Sequence, residues 1–417
     1  MTAGAAASIL SESRWAVVVA GAVALAVAMG IGRFAFTPLL PMMLHDGVID
    51  LPSASWLASA NYLGYLAGAL LCTFQPWIWA RVPRLPPVDG PWMVRAGLVA
   101  TGVLTLGMAL PWPAVWPLLR FAAGVASALV FIYTSGWVLS QMARLQASAM
   151  GGVMYTGPGA GIIVSGLFAS AMVQWNWHAV DAWLVFGVLA LVLSALVWRS
   201  FGHGETPRPA AATRTGAALA SEPHGAFEVG ILCVAYGIAG LGYIVTATFL
   251  PVIARAALPG SPSLDMFWPI FGFGVFCGAL IASRLRVSGD LRLLLAGGYV
   301  VQAAGIAVGV WSPSLAGFAI GSLMLGLPFT AITFFAMQEV RRLRPAHAAS
   351  FMGLATAMYG LGQIVGPPLV ALLLRHSSSA GVGFTRSLQV AMSALLAGAL
   401  IYLWMVRAYP MRRAAAA

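Results

Sequence analysis

The sequence contains no lysine, and only 8% of its 417 residues are charged. Without lysine the chain has no Walker P-loop, no lysine Schiff base and no kinase lysine, so it does not hydrolyse ATP by the usual route. A charged fraction this low, together with 60% hydrophobic residues, excludes a soluble domain. The composition therefore indicates an integral membrane protein with several spans.

Potential metal ligands are also scarce. Cys72, Cys233 and Cys277 lie far apart within apolar segments, and we interpret them as small buried hydrophobic residues. The six histidines lie in loops or near the ends of spans and lack metal-ligand spacing. We therefore expect no metal and no cofactor.

The net charge of +11 is carried by arginines in short loops between apolar segments. With the N-terminus inside, 17 of the 22 arginines face the cytoplasm, three lie outside (Arg255, Arg375 and Arg386) and two lie within the membrane. This asymmetry predicts a multi-pass protein of the cytoplasmic (inner) membrane with both termini in the cytoplasm. The same distribution indicates that the partner of these charges is the lipid bilayer, and we expect no binding to nucleic acid.

Twelve apolar segments are long enough to cross a bilayer, and we interpret the first as a retained span and not a signal peptide. The one long polar stretch, Arg199 to Gly225, falls between the sixth and seventh segments and is typical of a flexible linker. The sequence thus predicts an N-terminal six-helix bundle over 1–198, a linker over 199–225 and a C-terminal six-helix bundle over 226–417. The expected segments are 16–44, 54–74, 93–112, 114–140, 149–173, 180–198, 227–252, 266–283, 291–311, 314–338, 350–374 and 387–406.

The two halves of the chain repeat each other. At an offset of 202, Ala147-Ser148-x-Met150-Gly151 matches Ala349-Ser350-x-Met352-Gly353. We therefore expect an all-α integral membrane fold of twelve transmembrane helices, in two six-helix bundles related by pseudo-two-fold symmetry. At an offset of 210, Gly30, Gly32, Leu40, Pro41, Gly64, Gly68, Ala69 and Leu70 match Gly240, Gly242, Leu250, Pro251, Gly274, Gly278, Ala279 and Leu280.

Three stretches carry a family resemblance: Gly30-Ile31-Gly32-Arg33-Phe34-x-Phe36-Thr37-Pro38-Leu39-Leu40-Pro41, Tyr243-Ile244-Val245-x-Ala247-Thr248-Phe249-Leu250-Pro251, and Leu119-Arg120-Phe121-Ala122-Ala123-Gly124. With the duplicated halves, they make the chain resemble the major facilitator superfamily, and more narrowly its YbfB/YjiJ-type transporters. The usual loop motif between spans two and three is not recognisable in residues 75–92. The resemblance implies alternating access around a cavity lined by spans one, four, seven and ten, and we expect a monomer.

Arg33 and Arg120 both lie within apolar spans, between the midplane and the outer face, with no carboxylate at mid-membrane depth. A charge at that depth is costly and usually faces a partner or a water-filled cavity. We interpret the missing partner as the substrate, a small organic anion held by charge-assisted hydrogen bonds. Alternatively, each arginine ties helix ends through carbonyl oxygens or extends toward the membrane surface.

Helical spacing adds further candidates for substrate binding. Asn61, Gln338 and Gln363 are also polar residues in apolar spans. Each of these residues could equally serve interhelical packing. The complete candidate set for the substrate site is Arg33, Arg120, Thr37, Ser127, Thr134, Tyr236, Tyr243 and Thr333.

The sequence therefore predicts a secondary transporter that moves a small solute, with an organic anion as the favoured class. Coupling to a proton or to a counter-anion stays open. A proton-coupled multidrug efflux antiporter is the first alternative, suggested by the fourth-span motif and by Gly157-Pro158-Gly159-Ala160-Gly161. The missing cavity carboxylate counts against it. A membrane-embedded enzyme or sensor is the second alternative, and it would need a catalytic cluster that the sequence does not show.

Overall fold

The computed structural model describes residues 3–82, 88–202, 225–261, 263–285, 289–344 and 348–410. Within these ranges all regular structure is helical. A π-helical segment spans Ala26–Ile31, and 3₁₀ segments span Ser148–Thr156 and Leu264–Met266. The α-helices are α1 (Ala3–Leu25), α2 (Phe36–His45), α3 (Leu51–Arg81), α4 (Gly90–Gly107), α5 (Trp116–Arg144), α6 (Gly157–Gln174), α7 (Ala179–Val197), α8 (Ala226–Ala257), α9 (Phe267–Arg284), α10 (Leu291–Trp311), α11 (Leu315–Gly326), α12 (Phe329–Leu343), α13 (Ala348–Arg375) and α14 (Ala380–Ala408).

These helices form twelve spans, which confirms the predicted fold class. The first span consists of α1, the π-helical segment and α2, and the tenth consists of α11 and α12. Each remaining helix forms one span. Eleven of these twelve units are long and apolar enough to cross a membrane. The remaining unit is α4, which carries Arg95 and is not among those eleven. Residues 203–224 of the predicted linker lie outside the described residues, so the domain boundaries stay predictions.

Helix ends define two faces of the molecule. The terminal face carries the start of α1, the end of α7, the start of α8 and the end of α14. The opposite face carries the turns between α2 and α3, α6 and α7, and α13 and α14. On the opposite face Asp50 caps α3 by accepting a hydrogen bond from the Ser53 N–H at 2.8 Å. Hydrogen bonds from Ser53 also lower the pKa of that carboxyl.

The predicted repeat is visible in the packing of the helices. A methyl group on Gly124 would lie 2.1 Å from the carbonyl oxygen of Asn61, and one on Gly326 would lie 2.3 Å from that of Phe271. The two glycines are 202 residues apart and the two carbonyls 210 apart. Spans two and four therefore pack as spans eight and ten do, because a residue without a side chain stands at each closest approach.

The first span, predicted as one continuous run, is interrupted. In the π-helical segment the N–H groups of Gly32 and Phe34 donate to carbonyls five residues back, at 2.9 and 3.0 Å. The pairing then becomes irregular, since Ala35 donates to the carbonyl four residues back at 3.3 Å but Thr37 to the carbonyl only three residues back at 3.2 Å. Pro38 and Pro41 have no N–H to donate. The last carbonyls before α2 consequently need donors from elsewhere in the fold.

Candidate functional site

Arg33 lies at this interruption and is 3% exposed. Its Nη2 donates to Oε1 of Gln363, on α13 in the other bundle, at 2.7 Å. The guanidinium carbon lies 4.1 Å from the ring centroid of Tyr65 and 5.2 Å from that of Tyr62, both on α3. Among the described residues no carboxylate pairs with Arg33, and its Nε has no hydrogen-bond partner. The cation is therefore held by an amide and by aromatic rings.

Gln363 links Arg33 to the seventh span. Its carbonyl oxygen accepts from Arg33, while its Nε2 donates a short hydrogen bond to the hydroxyl oxygen of Tyr243 on α8. Tyr243 is the residue that stands in place of Arg33 in the second copy of the repeat. The structure thus brings the two repeat-related residues together through one amide.

An aromatic wall, formed by Tyr236, Tyr243, Phe329 and Tyr359, continues from this amide toward the terminal face. The ring of Tyr359 stacks on Tyr236 at a centroid distance of 4.7 Å and on Tyr243 at 5.7 Å. Phe329 meets Tyr243 edge-on at 4.8 Å. The hydroxyl of Tyr236 donates to Oγ1 of Thr333 at 3.1 Å. Four of the predicted residues, Arg33, Tyr236, Tyr243 and Thr333, therefore belong to one cluster.

Arg120 is placed differently. It is 2% exposed, and its Nη1 and Nη2 donate to the carbonyl oxygens of Gly32 and Arg33, each at 3.1 Å. Ser127, two turns further along α5, donates to the carbonyl of Ala28 at 2.6 Å. Both residues thus serve the backbone of the interrupted first span, which is the alternative that the sequence left open for the arginines. In this structure Arg120 positions Arg33, and its terminal nitrogens are occupied.

The two other predicted residues lie away from the cluster. Thr37 donates to the carbonyl of Ala247 at 2.8 Å. Ala247 lies 210 positions further along the chain, so it is the residue that corresponds to Thr37 in the second copy of the repeat. Thr134 is buried without a hydrogen-bond partner among the described residues, and a methyl group added to Gly21 of α1 would lie 3.7 Å from its Cγ2. Of the other polar residues, Asn61 donates to the carbonyl of Arg120 at 2.9 Å and so serves packing.

The cluster is sealed on the side of the opposite face. Besides the Thr37 bond, the hydroxyls of Tyr62 and Thr248 lie 2.9 Å apart across the two bundles, and Ser59 donates to the carbonyl of Ile364 at 3.1 Å. Thr37, Tyr62 and Thr248 are all buried, whereas Tyr65, Phe329, Thr333 and Tyr359 are partly exposed. Access to the cluster is therefore from the terminal face.

Sequence reasoning missed Tyr62, Tyr65 and Tyr359 as members of the cluster, whereas Phe329 shares a predicted face of the tenth span with Thr333. Aromatic residues in apolar spans carry no signal of their own, because most of them serve packing. Gln363 did carry a signal, since an amide in an apolar span needs partners, but the sequence did not reveal that Arg33 is one of them.

Arg292 departs most clearly from expectation, because the sequence placed it among the loop arginines. Its side chain is fully buried at the start of α10. It pairs with Glu228 at 3.1 Å and Asp290 at 2.8 Å, and donates to the carbonyls of Met405 and Tyr409. The short spacing between spans eight and nine hid this burial, because Arg292 folds back under the ends of α8 and α14.

Comparisons with known proteins agree with this geometry. The family model described as uncharacterised MFS-type transporter YbfB matches residues 25–403. Two solved structures of the nucleoside transporter NupG share the fold. The structure of a point mutant has a TM-score of 0.69 and 14% sequence identity, and the match covers 93% of this chain and 99% of NupG. A second NupG structure has a TM-score of 0.66 and 13% identity, and the match covers 95% of this chain and 99% of NupG. No curated protein matches the sequence.

The family match and the fold show a secondary transporter of small solutes, embedded in a membrane through many apolar helices and not an enzyme. Within that class, the chain belongs to the YbfB-type family of the major facilitator superfamily. The structural likeness to NupG shows a shared fold, but at 13–14% identity it does not indicate the solute. The solute is therefore argued from the site itself.

Proposed function

We propose that this protein transports a small organic anion with a planar or aromatic body, and that Arg33 binds its negative group. The observation that supports this most directly is a buried guanidinium with no carboxylate partner among the described residues. A buried charge needs a counter-charge or a dense set of hydrogen bonds. One amide oxygen and three ring faces meet that need only in part, so an arriving anion gains a charge-assisted hydrogen bond.

The aromatic body of the solute is inferred from the rings around Arg33. Flat faces of Tyr65, Tyr236 and Tyr359 lie between the cation and the terminal face, and offset stacking contributes about 0.5–1.5 kcal/mol per pair. The hydroxyls of Tyr236 and Thr333 supply donors and acceptors for a polar substituent. An aromatic carboxylate would combine a negative group for Arg33 with a flat ring for the partly exposed Tyr65 and Tyr359.

Solute binding would exchange partners at Gln363. An anion that takes over Arg33 frees the amide oxygen of Gln363, whose Nε2 stays with Tyr243. Because Arg33 and Gln363 belong to different bundles, this exchange replaces a direct contact between the bundles with one through the solute. The two halves can then move relative to each other, as alternating access requires.

We also place the protein in the cytoplasmic (inner) membrane with the terminal face inside, on the arginine distribution alone. The sealed side is then extracellular, and the structure corresponds to a state open toward the cytoplasm. A solute inside the cell would reach the aromatic wall from this side.

Counterflow in proteoliposomes tests the proposed substrate class. Proteoliposomes that contain the wild-type protein are loaded with unlabelled benzoate. Uptake is then measured for four labelled solutes, namely benzoate, cyclohexane carboxylate, a neutral nucleoside and a cationic drug. We expect benzoate to exchange fastest and cyclohexane carboxylate more slowly, since it lacks the flat ring. Exchange of the nucleoside alone would instead favour a neutral planar solute, and exchange of the cationic drug alone would favour an efflux antiporter. Either result would contradict the proposal.

A further inference from the structure

A second group of buried charges lies at the terminal face of the C-terminal bundle, away from Arg33. It contains one guanidinium, Arg292, and three carboxylates, Glu228, Asp290 and Glu339. Arg292, Glu228 and Glu339 are at most 1% exposed. The four residues come from the starts of α8 and α10 and the end of α12, so the group connects three helices of one bundle.

The hydrogen bonds of Arg292 are distributed unevenly. Its Nε and Nη2 donate to both oxygens of Asp290 at 2.8–3.2 Å, and its Nη1 donates to Glu228 at 3.1 Å. Glu339 lies only within 3.7 Å of Nε, beyond hydrogen-bond distance. Among the described residues neither oxygen of Glu339 has a hydrogen-bond partner. Arg292 is therefore committed to the other two carboxylates.

Glu339 is the least satisfied member of this group. Arg292 is already bonded to Asp290 and Glu228, so an ionised Glu339 would add a buried negative charge beside them without a hydrogen bond of its own among the described residues. Burying an ionised carboxylate without hydrogen bonds is among the costliest arrangements in a protein. Glu339 interacts electrostatically with titratable or charged groups on its own helix and on three other helices. These groups are Glu228 on α8, Asp290 and Arg292 at α10, Arg342 on α12 and Tyr402 on α14.

We propose that Glu339 is a proton-binding site of this transporter. Water at the terminal face supplies the proton, which adds to the Glu339 carboxylate and converts it to a neutral carboxylic acid. One proton is bound, one negative charge is removed and no other bond changes.

Proton binding at Glu339 acts on helices that also build the central cluster. Glu339 lies six residues after Thr333 on α12, about 9 Å along the helix. Glu228 lies on α8 eight residues before Tyr236, and Tyr236 donates to Thr333. Loss of the charge on Glu339 weakens the attraction of α12 to Arg292 on α10. Because Arg292 is also paired with Glu228 on α8, the packing of α12 against α8 and α10 depends on the proton. This link does not depend on whether the solute is an anion.

Infrared difference spectroscopy on the full chain in proteoliposomes tests the site without any solute. On acidification from mildly alkaline to mildly acidic pH, wild-type protein should gain the C=O band of one buried carboxylic acid per chain. Glu339→Gln should lack that band, while Asp265→Asn, which alters an acid paired with Arg255 at the opposite face, should keep it. Identical difference spectra for the wild type and Glu339→Gln would overturn the proposal.

If Glu339→Gln does not fold, Glu339→Asp provides the test, because it keeps a carboxyl group in altered surroundings. Its acid band should then shift in frequency, and an unshifted band would overturn the assignment to Glu339. Hydrogen exchange measured at the two pH values tests the link to the site. The protection factors of α8 and α12, from which the intrinsic pH dependence of amide exchange has been removed, should change with pH in the wild type and not in Glu339→Gln. Protection factors that do not change with pH in the wild type would overturn the link.

Discussion

Two buried arginines on neighbouring spans have different roles, and the difference lies in their hydrogen bonds. Both terminal nitrogens of Arg120 donate to backbone carbonyls of the first span, so its charge is used within the fold. Arg33 has one amide partner and three ring faces, so its charge is available to a solute. The sequence located both residues within apolar spans. It could not separate their roles, because the interruption that exposes the carbonyls arises only when the chain folds.

Arg120→Ala should destabilise the protein more than Arg33→Ala. The former leaves two buried carbonyls without donors, and a hydrogen bond to a charged group is worth about 1.5–3 kcal/mol. The latter removes a costly buried charge together with one hydrogen bond. Thermal unfolding in detergent, followed by tryptophan fluorescence, checks the order of the two midpoints. An equal or reversed order would show that Arg120 does not support the first span.

Gln363→Glu should abolish uptake of an aromatic anion while raising thermal stability. The new carboxylate would lie at the 2.7 Å position of the amide oxygen and would pair with Arg33 in place of the solute. Counterflow and thermal unfolding measure the two effects. Gln338→Glu, an equivalent change at a partly exposed position on α12, is the control and should keep exchange. Full exchange by Gln363→Glu would argue against Arg33 as the anion-binding group.

At the scale of the helices, the sequence predicted the packing better than the continuity of the spans. Residues 210 or 202 positions apart in the sequence make equivalent contacts in the two bundles. This was predictable because a glycine is required wherever one helix backbone lies directly against another. The interruption after Leu25 and the break between α11 and α12 were not predicted. Hydropathy does not register them, since the residues at a break are as apolar as those of the helices beside it.

Gly124→Ala should destabilise the N-terminal bundle strongly, because the added methyl would lie 2.1 Å from the carbonyl of Asn61 and force α5 away from α3. Gly136→Ala is the matched control on the same helix, since no atom lies within 4 Å of its added methyl. That change should be neutral or stabilising, as alanine favours helix over glycine by about 1 kcal/mol. Expression level and thermal midpoint compare the two variants. Equal effects would contradict the close packing of spans two and four.

At the scale of the molecule, the described contacts on the sealed side join the bundles through hydroxyl groups. The Thr37–Ala247 hydrogen bond connects repeat-related positions, so it lies near the pseudo-two-fold axis. Contacts of this kind are weak individually and can break without leaving a buried charge. They suit a seal that opens and closes. The sequence marked Thr37 as a candidate but could not assign it to the seal, because that role depends on how the two bundles meet.

Thr37→Val should shift the protein toward the state open at the opposite face. The change keeps the shape of the side chain and removes one hydrogen bond worth about 0.5–1.5 kcal/mol, so the population ratio should change by up to about tenfold. Spin labels at exposed positions 48 and 378, one in each bundle, report the distance across that face. The distribution should gain a longer component in Thr37→Val. An unchanged distribution would show that this bond does not hold the seal.

The central claim, that Arg33 recognises the negative charge of the solute, is tested most directly by changing the charge on both partners. Binding of benzoate and of its neutral analogue benzamide is measured in nanodiscs for the wild type and for Arg33→Gln. The wild type should prefer benzoate by about tenfold or more, a difference of about 1.4 kcal/mol, and Arg33→Gln should lose this preference. The same preference in both proteins would contradict the claim.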